Sequence, residues 1–460
     1  MKPQVLVQRP VYTNDDFFDP VIETDVVLDS GKNYVLSVAK NPKVADITWF
    51  LLPALRKHYG GYVEQIAIVP FRPSERHDKQ YVLVNEELKR LLTNGEIAEY
   101  GLLNVPAAEM NRQVSSSEFV KELIGRILEQ QDHLFVNLYK NSTYFDLHEF
   151  DGRVTFLAPG AEYVEYFDNK ITQRREVVED LDIPVPRSFI AQSIDELAGL
   201  YRDNFDGKAF VMRSHSSSGS GTEVVDSEEA ILSSLKIVQD EEYIISDFLD
   251  VEISPSTLGV VAGDGVYVAG LSDQILVEGV QYFGNVSPSA AGAGQREEMV
   301  SLTEKIGDYL GVRGYRGPFG VDFIIDKRGE LYFTELNPRL IGATAELTRA
   351  HMQVNPDAPS IPEMIFNAVV YDTLGFDTGS CELPQISWGY KIVKGDKGDR
   401  TKTIEGRERG HADILGYPGD DLNIYSYATV ARVVCRNSPG VTKEEILDIL
   451  DRRAGDIKLY

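Results

Sequence analysis

Cysteine is almost missing from this chain: Cys381 and Cys435 are the only two in 460 residues. So few thiols exclude a disulfide framework or a multi-cysteine zinc site built within the chain, and they suit a reducing cytoplasm. The seven histidines show no ligand-like spacing, which removes most transition-metal readings. Met1–Arg9 lacks the apolar core of a secretion signal. No apolar run approaches the ~20 residues that span a bilayer. Positive charge is scarce too: 46 Lys and Arg against 72 Asp and Glu leave a net charge of −26. Nucleic-acid backbones and anionic membranes both call for a positive footprint, so neither is an expected partner. No glycine-rich dinucleotide fingerprint follows a strand-like run, and no solenoid period repeats.

What is present is a globular composition, 43% hydrophobic and 26% charged. At about 100–200 residues per domain, the length suggests three or so domains. Residues 1–160 alternate strand-like runs (Asn33–Val38, Gln65–Val69, Leu134–Leu138) with helical ones (Trp49–His58, and a stretch capped by a serine of Ser115–Ser117), the pattern of an α/β domain. A boundary falls near Ala158-Pro159-Gly160, and Ile183-Pro184-Val185-Pro186 leads from a helix into a strand. Beyond residue 376, a basic glycine-rich run, a strand at Ala428–Val434 and a helix from Lys443 read as a small C-terminal α/β domain.

The most specific stretch is a β-hairpin, Gly320–Asp326 and Leu331–Arg339 joined by a Lys327-Arg328-Gly329 turn. Period-two alternation sets Leu331, Phe333, Glu335 and Asn337 on one face. Pairing across the turn sets Asp322 opposite Glu335, with Cβ atoms roughly 4.5–5.5 Å apart. Two carboxylates and an amide oxygen are hard ligands that suit Mg²⁺ held against a phosphate, and Arg339 extends the row with a permanent positive charge. An acidic solvent-facing hairpin is the plainer alternative.

Two further stretches accompany it. Ala209–Met212 leads through Arg213 into Ser214–Thr222, a Ser/Gly loop whose backbone N–H groups and hydroxyls suit a phosphate, although as a linker the composition is unremarkable. Tyr243–Ile253 reads as an apolar strand with an acidic end, and its edge near Phe248 and Leu249 suits an adenine ring as well as a plain core strand.

Taken in order, Asp168-Asn169-Lys170, Ile183–Pro186, the Ser214–Thr222 loop, Ile244–Glu252, Gly320-Val321-Asp322 and Glu335-x-Asn337-x-Arg339 resemble the ATP-grasp family of carboxylate–amine ligases over residues 160–350. The resemblance is strongest to amino-acid and peptide ligases of natural-product pathways, of the pheganomycin type. It implies an α/β (α+β) ATP-grasp fold: an N-terminal α/β domain (1–160), an ATP-grasp region (161–375, with a lid at about 185–250 and a catalytic part at about 251–375) and the C-terminal domain (376–460).

It further implies that Lys170 and Arg213 touch ATP phosphates, with Arg213 standing where many members have lysine. Ser217, Ser218 and Gly219 would cover the phosphates, Phe248 and Leu249 would read adenine, and Glu252 would hold ribose. Asp322, Glu335 and Asn337 would bind two Mg²⁺ ions, with Mn²⁺ as a substitute, and Arg339 would act at the reacting centre. Gln274 and Asn285 are the candidate substrate contacts, each equally readable as a structural residue. The implied reaction joins a small carboxylic acid to an amine in the cytoplasm, in a family where homodimers are common. A biotin-carboxylase-like enzyme that activates bicarbonate and a non-catalytic ATP-binding protein are the alternatives.

Overall fold

The structure, a computed structural model, describes residues 4–5, 26–39, 44–70, 80–97, 101–150, 152–215, 221–234, 237, 241–277, 281–401, 412–415, 422–436, 441–457 and 459. Three sheets of four or more strands organise them, beside two small two-stranded ones. The first holds five parallel strands in the order Gln80–Leu83, Val63–Val69, Asn33–Val38, Leu134–Leu138, Val154–Leu157. Strands buried on both faces read as continuous apolar runs, and Leu134–Leu138 is buried throughout. Helix Val44–Tyr59 sets Leu51, Leu52 and Leu55 against Phe135 and Phe366. Ser117 caps helix Glu118–Leu128 by accepting the Val120 N–H. The order of connection reverses between Asn33–Val38 and Leu134–Leu138, the kind of switch point whose crevice binds ligands in open α/β sheets.

The second sheet is antiparallel, in the order Thr222–Val225, Ala209–Arg213, Tyr243–Asp247, Ser188–Ala191. Val211, Tyr243 and Ile245 bury one face with Leu197 and Ile231, while Met212 and Ile244 on the other face meet Ile171. The third sheet has nine strands, and the Gly317–Asp326 and Leu331–Asn337 hairpin lies toward one end of it. Helix Ala293–Gly311 packs Met299, Ile306 and Leu310 under Val321, Phe323 and Phe333. Trp388–Gly395 pairs with Gln281–Ser287, so the sheet continues without interruption into the C-terminal segment. Among the described residues no helix is long and apolar enough to cross a membrane.

Two local features differ from the sequence expectation. Tyr243–Ile253 is two strands, Tyr243–Asp247 and Val251–Ile253, in different sheets. The chain must cross between sheets at Phe248–Asp250, and the Lys327 N–H pins the crossing by donating to the Asp250 carbonyl at 2.9 Å. In the hairpin, Asp322 does face Glu335, but Phe323 faces Phe333, so Thr334 is an extra residue in a β-bulge. The bulge reverses the alternation. Leu331, Phe333 and Leu336 enter the core, whereas Glu335 and Asn337 turn to the opposite side, so the expected single face of Leu331, Phe333, Glu335 and Asn337 is split.

Gln173 fixes this irregular strand. Its buried side-chain amide accepts the Leu336 N–H at 2.9 Å and donates to the Leu336 carbonyl at 2.8 Å and the Phe167 carbonyl at 2.7 Å. Replacement by alanine leaves these buried backbone groups unpaired, each costing about 1–3 kcal/mol. Gln173→Ala is therefore expected to lower unfolding stability by about 2–4 kcal/mol in urea denaturation, and a loss below about 0.5 kcal/mol, the level of an ordinary surface change, would show that Gln173 does not hold the strand.

Candidate active site

A cavity of about 590 Å³ opens between the second and third sheets, with Tyr139 contributed from the parallel sheet. Strand alternation selects its lining. Phe210 and Met212 face it, so Arg213, at an odd position with Ala209 and Val211, belongs to the other face and does not line it. The Arg213 Nε is buried with no hydrogen-bond partner among the described residues. Lys208 lines the cavity instead, its Nζ 5.5 Å from the Phe248 ring centroid. Phe248 and Leu249 reach the cavity because the chain breaks there between its two strands. Glu252 is skipped by the pairing of Val251 with Asp326 and Ile253 with Ile325, and it faces solvent outside the lining. Ser217, Ser218 and Gly219 lie outside the described residues.

The hairpin supplies the charged end. Lys170, Asp322, Glu335, Asn337 and Arg339 all line the cavity, as do Gln274 and Asn285. The Lys170 Nζ lies 3.0 Å from Glu335 Oε1, and the Lys170 side chain is 4% exposed. Asn337 donates from Nδ2 to Asp322 Oδ2 at 3.0 Å and accepts at Oδ1 from Arg339 Nη2 at 2.6 Å. Arg339 has only donors, which sets the amide orientation. In this arrangement Asn337 positions the two charged neighbours, and the carboxylates of Asp322 and Glu335 are the ligands that the geometry offers to a cation. Burial, and next the Glu335 charge, push the Asp322 carboxyl up to about 6, against the opposing pull of Ser256, Arg339 and Gln274. Two opposed acidic groups at a dry wall suit a divalent ion whose remaining ligands come from phosphate and water. Among the described residues no group of three or more His, Cys, Asp or Glu could hold a metal by itself.

Several residues escaped the sequence reading. Tyr139 directly follows strand Leu134–Leu138, and its hydroxyl accepts from Arg339 Nη1 at 3.0 Å. Its place at the carboxyl end of a switch-point strand was the available signal. Tyr282 lies on strand Gln281–Ser287. Its hydroxyl meets Asn285 and Tyr390, Tyr390 donates to Asn285 Oδ1 at 2.8 Å, and Asn285 Nδ2 donates to Ser272 Oγ at 3.0 Å. Asn285 is thus committed to a polar wall. An added Cβ on Gly342 would sit 2.5 Å from the Tyr282 hydroxyl and 2.7 Å from that of Tyr390, so this wall requires glycine there.

The family described as ATP-grasp domain matches residues 168–343. The L-propargylglycine–L-glutamate ligase of Streptantibioticus cattleyicolor is 38% identical over 101 residues, 22% of this chain and 20% of that protein. The formate-dependent phosphoribosylglycinamide formyltransferase of Methanocaldococcus jannaschii is 27% identical over 187 residues, 39% of this chain and 46% of that protein. The chain therefore matches less than half the length of either curated relative. The biotin carboxylase domain of Hydrogenobacter thermophilus 2-oxoglutarate carboxylase, solved with MgADP and bicarbonate, is similar with a TM-score of 0.64 at 14% identity, over 93% of this chain and 90% of that one. The chain has the ATP-grasp fold, and the matched family segment contains every charged residue of the hairpin end.

The raised Asp322 pKa carries a sign. A carboxyl at about 6 in the folded protein against an ordinary value of 3.8 contributes stability that is complete below pH 4 and lost as pH rises through 6. Without metal or nucleotide, Asp322→Asn is expected to raise stability at pH 7–8 by on the order of 2–3 kcal/mol and to converge with the wild type near pH 4. Thermal melts across that range check this; parallel curves for the two proteins would contradict it.

Proposed function

We propose that this ATP-grasp protein is an ATP- and Mg²⁺-dependent ligase that activates a carboxylate as an acyl phosphate and couples it to an amine, releasing ADP and phosphate. The observation that carries the reading is the opposition of Asp322 to Glu335, flanked by Lys170 and Arg339, in the same cavity as Phe248 and Leu249. A carboxylate is a poor electrophile because oxide must leave, and transfer of the γ-phosphoryl group supplies a better leaving group. Mg²⁺, when bound by Asp322 and Glu335 with Asn337 beside them, neutralises phosphate charge during that transfer.

The protein's own groups do the rest. Phe248 and Leu249 hold adenine at the crossing between sheets. Lys170 pairs with phosphate when it leaves Glu335, and the Ser217-Ser218-Gly219 loop covers the phosphates. Arg339, held by Tyr139 and Asn337, faces the oxyanion that forms when the amine attacks the acyl carbon. Gln274 and Asn285 bound the acceptor space, and the fragmentary likeness to an amino-acid ligase supports an amino acid or peptide as a substrate. On this reading the enzyme works in the cytoplasm on small molecules, with a homodimer as its proposed assembly. The bicarbonate-activating alternative draws on the likeness to the biotin carboxylase domain, which extends to fold alone.

ADP release over paired acids and amines, with mass detection of amides, tests the proposal. Release that needs both an acid and an amine is expected, whereas release that needs bicarbonate and no amine would replace the ligase with a carboxylase. Glu335→Gln should cost roughly 100-fold or more in turnover with the fold intact, and near-normal activity would remove Glu335 from the site.

A further inference from the structure

Two cavity-lining cations, Lys208 and Arg174, have charges that the proposed reaction leaves unassigned; Lys208 is exposed, whereas Arg174 is buried. It is 7% exposed, and it lies one turn beyond Lys170, where the helical run widens into the π-helical segment Gln173–Val178, a distortion common at functional sites. Lys170 is buried as deeply and has Glu335 beside it. Arg174 has no acidic neighbour and no hydrogen bond among the described residues; its Nη1 is buried without a partner, and its guanidinium carbon stands 5.8 Å from the centroid of Phe333. Burial alone depresses its pKa, to about 10, which leaves it charged at neutral pH.

A buried, unpaired guanidinium is expensive, and a natural chain that keeps one at a cavity wall has an anion to meet it there. Two anions belong to the proposed reaction: the nucleotide's phosphates and the substrate's carboxylate. The position of Arg174 on the same helical run as Lys170 favours the first. We propose that Arg174 is a phosphate-binding residue of the nucleotide site, supplying the guanidinium contact that the sequence suggested for Arg213 and that strand alternation turns away from the cavity. This rests on the reading of the cavity as an ATP site.

The full-length protein with Arg174→Met and Arg174→Lys tests it, through titration with MgADP and adenosine, steady-state kinetics with an acid that the ADP-release assay identifies, and melting without ligand. Charge-assisted hydrogen bonds of this kind lead us to expect Arg174→Met to weaken MgADP binding roughly 10- to 100-fold. Adenosine affinity should be unchanged, Arg174→Lys should recover part of the loss, and the ligand-free melting temperature should hold or rise because an unpaired buried charge has gone. A purely structural role would instead lower the melting temperature and weaken MgADP and adenosine alike, which would overturn the proposal. Unchanged MgADP affinity with a raised KM for the acid would also overturn it and assign Arg174 to the carboxylate. A wild type that binds no nucleotide would sink this proposal and the ligase reading together, whereas MgADP binding indifferent to Arg174→Met would sink this one alone.

Discussion

The extra residue at Thr334 is the constraint on which the site depends. Without it, the pairing that sets Phe323 opposite Phe333 would carry Asp322 to Thr334 and send Glu335 into the core with Leu331 and Phe333. One inserted residue instead leaves three apolar side chains of the strand inside and turns Glu335 and Asn337 outward beside Asp322. The irregularity is held from both sides. Thr334 returns its hydroxyl to the Asp322 carbonyl at 2.9 Å, and the Gln173 amide takes both backbone groups of Leu336. Gln173 belongs to the run that begins at Lys170, so the strand bearing the carboxylates and the helix bearing the neighbouring cations are tied by the same amide.

The electrostatics follow from that placement. Two carboxylates brought face to face at a buried wall repel each other, and the burden shows in the raised pKa of Asp322. Lys170 and Arg339 offset part of it, directly at Glu335 and through Asn337 at Asp322. Every one of these pairings uses a group that a metal–nucleotide complex would also engage. On the proposed reading, Lys170 would exchange Glu335 for phosphate, and Glu335 would exchange the lysine for a divalent ion shared with Asp322. Arg339 is anchored differently. Its bonds to the Tyr139 hydroxyl and the Leu340 carbonyl, both at 3.0 Å, hold it where the parallel sheet's switch point meets the cavity, independently of the carboxylates.

Much of this was legible in the sequence. Strand Asn33–Val38, the opposition of Asp322 to Glu335, and the convergence of Lys170, Phe248, Leu249 and Arg339 follow from periodicity, turn chemistry and motif order. The parts that were not legible share a physical cause. A period-two reading is blind to a bulge, because the signal it relies on is the regularity that a bulge interrupts. The same blindness merged the two strands on either side of Phe248 and assigned Glu252 a cavity position, although that residue is skipped by its pairing. The motif order points to Arg213 by its place at the end of the strand before the loop, whereas alternation along Lys208, Phe210 and Met212 points to the lysine. Tyr139, Tyr282 and Arg174 carry no motif; they matter through tertiary neighbours 100 residues or more away, such as Arg339, Tyr390 and Phe333.

The central claim is that the bulge exists to present Asp322 and Glu335 jointly to a divalent ion beside a nucleotide. Manganese supplies a direct reading, because the EPR signal of free Mn²⁺ falls as the ion is bound. The account predicts that protein and ADP together deplete free Mn²⁺ well beyond ADP alone or protein alone, and that Asp322→Asn or Glu335→Gln returns the signal to the level of ADP alone. Depletion by the wild type that survives both substitutions, or none beyond that of ADP, would contradict it.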